Sequence, residues 1–181
     1  MSLNLPDTLW QSRPVGANGH MRRWLLDRGS LTRRIQIRSR RFRVELLALK
    51  RAPANRDECR LIEAGMRKAC ALREVVLHSD AVAVVFAHSI AARQALRGPW
   101  RLLLTLGTRP LGAALFADPR VTRRPLRFRQ IRRGHELFAK ACGQLDHAPA
   151  SLWARRSLFE FRGSRLLVTE VFLPAILALE P

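Results

Sequence analysis

Hydrophobic and polar positions follow two distinct periods along these 181 residues. Phe42, Val44, Leu46 and Ala48 alternate with Arg43 and Glu45, the pattern of a half-buried strand. Ala71–His78 and Val82–Ile90 are β-rich runs on either side of Ser79-Asp80-Ala81, which reads as a hairpin. Val121–Arg132 sets Leu126 and Phe128 against Arg127 and Arg129, another strand, and Leu152–Phe161 with Ser164–Leu173 forms a second hairpin around Arg162-Gly163 that ends at Pro174. Between them lie helical segments. Leu25–Ile35 predicts a short helix with Asp27, Ser30 and Thr32 as capping oxygens. The polar stretch Pro53–Arg60 breaks the pattern and is followed by a helical turn over Leu61–Met66. Ala91–Gly98 and Trp100–Phe116 are helical, interrupted at Gly98-Pro99 and at Gly107–Pro110, and Gly134–Cys142 forms one more helix. The expected fold is α+β: a six-stranded antiparallel sheet with flanking helices. With no repeat and no Gly/Ser linker, residues 1–181 are expected to form a single domain in which 1–20 is a loosely ordered N-terminal extension. There is no β-α-β alternation, GxGxxG or P-loop to point to a nucleotide site.

Composition narrows the class. With 48% hydrophobic residues the chain is long enough to bury a core. Cys59, Cys70 and Cys142 lack CxxC spacing, which argues against a disulfide scaffold or a structural zinc site and for inert, buried thiols. The formal net charge of +19 first points to a polyanion. However, 30 of the 33 basic residues are Arg and Tyr is absent, the bias that GC-rich codon usage produces unaided. Aromatics at 7% with no recognition motif argue against a specific nucleic-acid partner. Met1–Trp10 does not resemble a secretory signal. The longest apolar run, Leu166–Leu179, is interrupted by Glu170 and Pro174, so no transmembrane segment is expected. A cytoplasmic monomer is the resulting expectation, since no coiled-coil heptad is visible.

Two charges stand on apolar strand faces. Arg73 shares its face with Val75 and Leu77, while Glu74 and His78 fall on the other; Glu170 shares its face with Leu166, Val168 and Phe172. A buried guanidinium or carboxylate needs a partner. The two either pair with each other, lie on faces read the wrong way round, or line a ligand pocket in which Arg73 grips a carboxylate. His88, isolated in an apolar strand, reads as a hydrogen-bonded core residue. Arg109-Pro110-Leu111-Gly112 reads as a turn that lets a chain or ligand come close.

Five blocks, taken in order, resemble the bacterial chorismate lyase (chorismate–pyruvate lyase) family. They are Trp24-Leu25-Leu26-Asp27-Arg28-Gly29-Ser30-Leu31-Thr32, Leu72-Arg73-Glu74-Val75-Val76-Leu77, Pro110-Leu111-Gly112-Ala113-Ala114-Leu115-Phe116, Leu152-Trp153-Ala154-Arg155-Arg156-Ser157, and Leu166 to Ala175. The resemblance implies a six-stranded antiparallel sheet. It also implies conversion of chorismate to 4-hydroxybenzoate and pyruvate, the first committed step of ubiquinone synthesis in many Gram-negative bacteria, with no metal or organic cofactor. By the same resemblance Arg73 binds the ring carboxylate and Glu170 faces the ring hydroxyl, as the catalytic pair. Backbone groups at Leu31 and Leu111 complete the substrate site. Leu31 stands where some members have Met, an exchange a backbone contact tolerates. Arg155 and Arg156 also match, and alternation puts them on opposite faces; they read as solvated or ion-paired strand residues, with one of them helping to hold the second substrate carboxylate as the alternative. The alternative is a non-enzymatic small aromatic-acid sensor, since effector domains of some transcription regulators resemble this fold. Such regulators also carry a DNA-reading domain, for which no room is expected before Trp24.

Overall fold

Two tight turns organise the sheet. Asp80 and Ala81 have φ of 49° and 75°, and Arg162 and Gly163 have φ of 49° and 70°. Paired positive φ values match the right-handed twist of the flanking strands and so close two-residue hairpins. Asp80 suits its position because its carboxylate also accepts a 2.7 Å hydrogen bond from the Arg41 N–H. The first turn joins β2 (Ala69–Ser79) to β3 (Val82–Ala91), and the second joins β6 (Ser151–Phe161) to β7 (Ser164–Phe172). The structure, a computed structural model, describes residues 9–179.

With β1 (Phe42–Pro53), β4 (Thr122–Arg123) and β5 (Arg127–Arg132), these strands form one antiparallel sheet in the order β1-β2-β3-β7-β6-β4, β5 also pairing with β6. The expected α+β sheet is present, with one refinement. The single strand expected over Val121–Arg132 is divided at Arg124–Leu126, where Pro125 cannot donate to the ladder, and seven strands result instead of six. The helices depart further from expectation. The segment Leu25–Ile35 is not one helix: α1 (Gly19–Leu26) ends where the Asp27 carboxylate captures the Gly29 N–H at 2.6 Å, and Ser30 then caps α2 (Leu31–Gln36). Strand β1 runs on to Pro53. The helical turn expected at Leu61–Met66 lies earlier, as α3 (Arg56–Cys59), because Asn55 and Glu58 form a capping box. The long helical stretch breaks into 3₁₀ turns over Arg93–Arg97 and Pro99–Arg101, followed by α4 (Leu102–Thr105) and α5 (Leu111–Ala117). The final helix, α6, spans Glu136–Cys142.

Both sheet faces are covered, and each face has its own character. The front carries the apolar clusters around Trp24, Val75 and Phe172 and around Trp100, Leu115 and Val168, under α1, α2 and α5. The back packs Val76, Phe86, Ala154 and Val171 against α6 and Trp10. Residues 9–20 of the stretch expected to be loosely ordered are therefore packed at Trp10, 3% exposed, while residues 1–8 lie outside the described residues. Trp10 is held because its ring lies 3.9 Å from the Arg156 guanidinium and its indole N–H donates to Asp57 at 3.1 Å.

A buried charge network occupies the same back face. His88 Nδ1 lies 2.9 Å from Glu74 Oε1, and its Nε2 lies 3.3 Å from Glu58 Oε1, close enough for charge attraction but off hydrogen-bond alignment. Lys140 joins Glu74 at 2.7 Å, and Arg156 joins Asp57 at 2.8 Å. Lys140 also meets the more exposed Glu136 at 2.9 Å, so the three cations are each matched by at least one carboxylate. Burial alone would disfavour the His88 imidazolium, yet the flanking Glu58 and Glu74 carboxylates outweigh it and raise the pKa to about 9. Burial would likewise raise Glu58, but His88 and Arg156 bring it down to about 2. His88 is thus a paired core residue, as the sequence implied. Among the described residues no helix is long and apolar enough to cross a membrane.

Replacing His88 with Gln removes the cation shared by Glu58 and Glu74, leaving Glu74 to Lys140 alone and Glu58 to the more distant Arg156, and is expected to cost about 3 kcal/mol. The His88 pKa is raised above its unfolded value, so its contribution is complete below pH 6.5 and is lost as pH climbs through about 9. Urea titrations from pH 6 to 10 check this: the gap between wild type and His88→Gln should narrow with rising pH, and a constant gap would exclude an ionised His88.

Candidate active site

Alternation on the central strands brings Arg73 (β2), Glu170 (β7) and Arg155 (β6) to the front face, above Val75, Ala87, Ser89 and Val168. Helices α2 and α5 close over this floor through Leu31, Leu111, Leu115 and Phe116. The result is one cavity of about 590 Å³ that includes Arg73, Glu170, Leu31 and Leu111 together. The sequence reading had these faces the right way round.

Arg73 and Glu170 do not pair with each other. Arg73 is 1% exposed and has no carboxylate partner among the described residues. Its Nε and Nη2 donate to the Gly107 carbonyl at 3.3 and 2.8 Å, and Nη2 also donates to the Arg109 carbonyl at 2.9 Å. These bonds tether the loop before α5 to the sheet, and Gly107 turns that loop with φ +53°. Nη1 makes no hydrogen bond among the described residues, so a cation faces the cavity with donor capacity left. Burial lowers the Arg73 pKa, the electrostatic sign of a charge awaiting a counter-ion.

Glu170 has a different partner. Arg155 stands directly opposite it across the β6–β7 ladder and donates from Nε to Glu170 Oε2 at 2.7 Å. Arg155 Nη1 donates to the carbonyls of Asp27, Trp24 and Leu25 at 2.8, 3.3 and 3.4 Å. These are acceptors that the end of α1 leaves unpaired. One guanidinium therefore orients the site carboxylate and also anchors α1. Arg156, one residue on, faces the opposite side of the sheet and belongs to the back-face network. Both arginines are ion-paired, as their strand positions suggested.

Leu31 and Leu111 are the first residues of α2 and α5. Their N–H groups precede the intrahelical ladder, and neither meets an acceptor among the described residues. The two helix starts touch: a Cβ at Gly112 would sit 2.9 Å from Ser30 Oγ and 3.4 Å from Thr32 Oγ1. The close approach read from Arg109-Pro110-Leu111-Gly112 is thus contact between these helices.

One lining cation escaped the sequence reading. Arg123 (β4) pairs with Phe159 of β6 and so shares the front face with Arg155. Within Val121–Arg132 it carries the phase of the outward-facing Arg127 and Arg129. The break at Pro125 resets that phase, and only Pro125 itself hinted at it.

Comparison with known proteins places these residues in context. The sequence profile of the family described as "Chorismate lyase" matches residues 6–180. A "Probable chorismate pyruvate-lyase" of Nitrosomonas europaea is 46% identical over 171 residues, covering 94% of this chain and 96% of that protein. A protein of the same description from Aromatoleum aromaticum is 48% identical over 174 residues, covering 94% of each. Among solved structures, the effector domain of PhnF from Mycobacterium smegmatis superposes with a TM-score of 0.57 at 14% identity, over 82% of this chain and 91% of that one. That likeness is one of fold.

Arg155→Met is expected to destabilise the protein by about 3–5 kcal/mol, since it leaves the Glu170 carboxylate and the α1 carbonyls unpaired. Removing the stranded carboxylate as well, in Arg155→Met/Glu170→Leu, should recover part of that loss. Denaturant midpoints of the two single variants and the double variant measure the coupling; strictly additive effects would rule out the pair as a unit.

Proposed function

The chain belongs to the chorismate lyase family, and from that membership we propose that it converts chorismate to 4-hydroxybenzoate and pyruvate. The observation that carries this reading is the meeting of Arg73, Glu170, Leu31 and Leu111 in one cavity. These are the four positions the family motifs mark, and they come from four separate elements of the fold.

The geometry divides the work as follows. Arg73 takes the ring carboxylate with its remaining N–H groups, a charge-assisted contact in a place closed to water. The unpaired N–H groups of Leu31 and Leu111 are the backbone donors beside it. Glu170, one oxygen engaged by Arg155, keeps the other to accept from the ring C4 hydroxyl. Reaction breaks the C3–O bond to the enolpyruvyl group and the C4–H bond. The hydrogen ends on the enolpyruvyl methylene carbon as pyruvate forms, and the ring becomes aromatic. One chorismate dianion becomes two monoanions with every atom and electron accounted for, so no water, oxidant or second substrate is required. The protein's task is to hold the two ring substituents in reactive alignment and to stabilise charge on the departing oxygen. We take the enzyme to be a cytoplasmic monomer that works without metal, organic cofactor or nucleic acid and supplies 4-hydroxybenzoate for ubiquinone synthesis.

Mixing the protein with chorismate should release 4-hydroxybenzoate and pyruvate in equal amounts. Loss of one charge-assisted contact corresponds to about 10- to 100-fold in kcat/KM, the drop expected for Arg73→Ala. A smaller drop is expected for Glu170→Gln, whose amide oxygen still accepts from the hydroxyl. 4-Hydroxybenzoate retains the groups that meet Arg73 and Glu170, so it should compete with chorismate in progress curves. A sensor of the same fold without turnover would bind 4-hydroxybenzoate and release no pyruvate from chorismate.

A further inference from the structure

The charged groups lining the cavity do not balance. Arg73, Arg123 and Arg155 face it with Glu170 alone against them, so Glu170 offsets one guanidinium and two positive charges remain. Arg155 is ion-paired with Glu170 through Nε and donates from Nη1 to the carbonyls at the end of α1. The excess therefore resides on Arg73 and Arg123. This contrasts with the back of the sheet, where His88, Lys140 and Arg156 each meet a carboxylate.

Arg123 has an unusual setting for a partly buried arginine. It forms no ion pair among the described residues. Its Nη2 donates to the carbonyl of Arg28, in the loop between α1 and α2, and its guanidinium lies 5.3 Å from the centre of the Phe116 ring on α5. It is thus held between the two segments that close the cavity, with Glu170 and Asp27 acting on its charge only from beyond ion-pair distance. Burial and the like charge of Arg155 both lower its pKa, the same direction as for Arg73. An anion arriving at either group would relieve that strain.

The order of groups along the sheet matches the order of groups along the substrate. Arg73 is on β2, Glu170 two strands further on β7, Arg155 on β6 and Arg123 on β4. Four strand intervals of about 4.8 Å set the backbones of Arg73 and Arg123 about 19 Å apart along the sheet, a span that two long side chains reaching inward narrow. Chorismate carries one carboxylate on C1, its hydroxyl on C4 opposite, and the second carboxylate beyond the C3 ether beside that hydroxyl. With the first carboxylate on Arg73 and the hydroxyl on Glu170, the enolpyruvyl arm extends toward β4. We propose that Arg123 binds the enolpyruvyl carboxylate of chorismate. It thereby sets the specificity for a dicarboxylate and holds the leaving group in line. The assignment rests on the chorismate lyase reading and adds to it the second anion subsite.

The test exploits the product, which has lost the second carboxylate. Arg123→Gln and Arg123→Lys are compared with wild type for steady-state kinetics on chorismate and for calorimetric Kd of chorismate and of 4-hydroxybenzoate, with circular dichroism melts as a check on folding. Arg123→Gln should raise KM and Kd for chorismate about 10- to 100-fold and leave the Kd for 4-hydroxybenzoate within about twofold of wild type. Arg123→Lys, which keeps the charge, should recover part of the loss. Arg73→Ala should weaken both ligands. If Arg123→Gln shifts chorismate and 4-hydroxybenzoate equally, or shifts neither, the assignment is overturned and Arg123 serves only to tie the α1–α2 loop to α5. Were wild type to bind chorismate without releasing pyruvate, the lyase reading would fall, while the same pair of Kd values would still decide the role of Arg123.

Discussion

The ion pair between Arg155 and Glu170 is the interaction on which the rest of the front face depends. It crosses the β6–β7 ladder at the centre of the sheet, with the arginine 1% exposed, so it forms only when the hairpin around Arg162-Gly163 has its native register. A slip of one residue would send either side chain to the other face and leave an unpaired charge in an apolar layer. The same guanidinium donates to three carbonyls at the end of α1. Hairpin register, helix placement and carboxylate orientation are thereby one event. Glu170 is held through Oε2 by Arg155 and lines the cavity.

The two faces of the sheet show what distinguishes a structural use of buried charge from a chemical one. On the back, His88, Arg156 and Lys140 are matched by Asp57, Glu58 and Glu74, and the charges hold α3, α6 and Trp10 in place. On the front, three arginines meet one glutamate, and the surplus faces a cavity. Neighbouring residues take opposite parts: Arg73 and Glu74, or Arg155 and Arg156, differ in role because strand alternation sends them to opposite sides. A buried charge that its own fold neutralises serves the fold. One left unmatched beside a cavity is prepared for a ligand, and two such charges suit a dianion.

Legibility in the sequence followed the range of the forces involved. The two hairpins were readable because two-residue turns and alternating strands are local. The front-facing positions of Arg73 and Glu170 were readable for the same reason. The split of Leu25–Ile35 at Asp27–Ser30 was not, since both Asp27 and Ser30 are good caps and periodicity cannot say that one ends a helix while the other begins the next. Arg123 was hidden more deeply. Cross-strand partners lie on one side of the sheet, and Arg123 pairs with Phe159 while Phe128 pairs with Arg155. Those partners share a face although an odd number of residues separates Arg123 from Phe128. The alternation must therefore flip between them, and Pro125 marks where.

The sequence by itself determined the fold class, the two hairpins, the apolar faces that carry Arg73 and Glu170, and through its motifs the family. Each of these is a property of short stretches of chain, governed by period, turn geometry and residue identity. Only the tertiary structure decided the partners. It joined Glu170 to Arg155, gave Arg73 two backbone carbonyls and no carboxylate, placed His88 between two glutamates, and brought Arg123 to the cavity. Those outcomes depend on which elements meet across the sheet and on how strongly burial penalises a charge left alone, and neither is encoded in any single window of sequence.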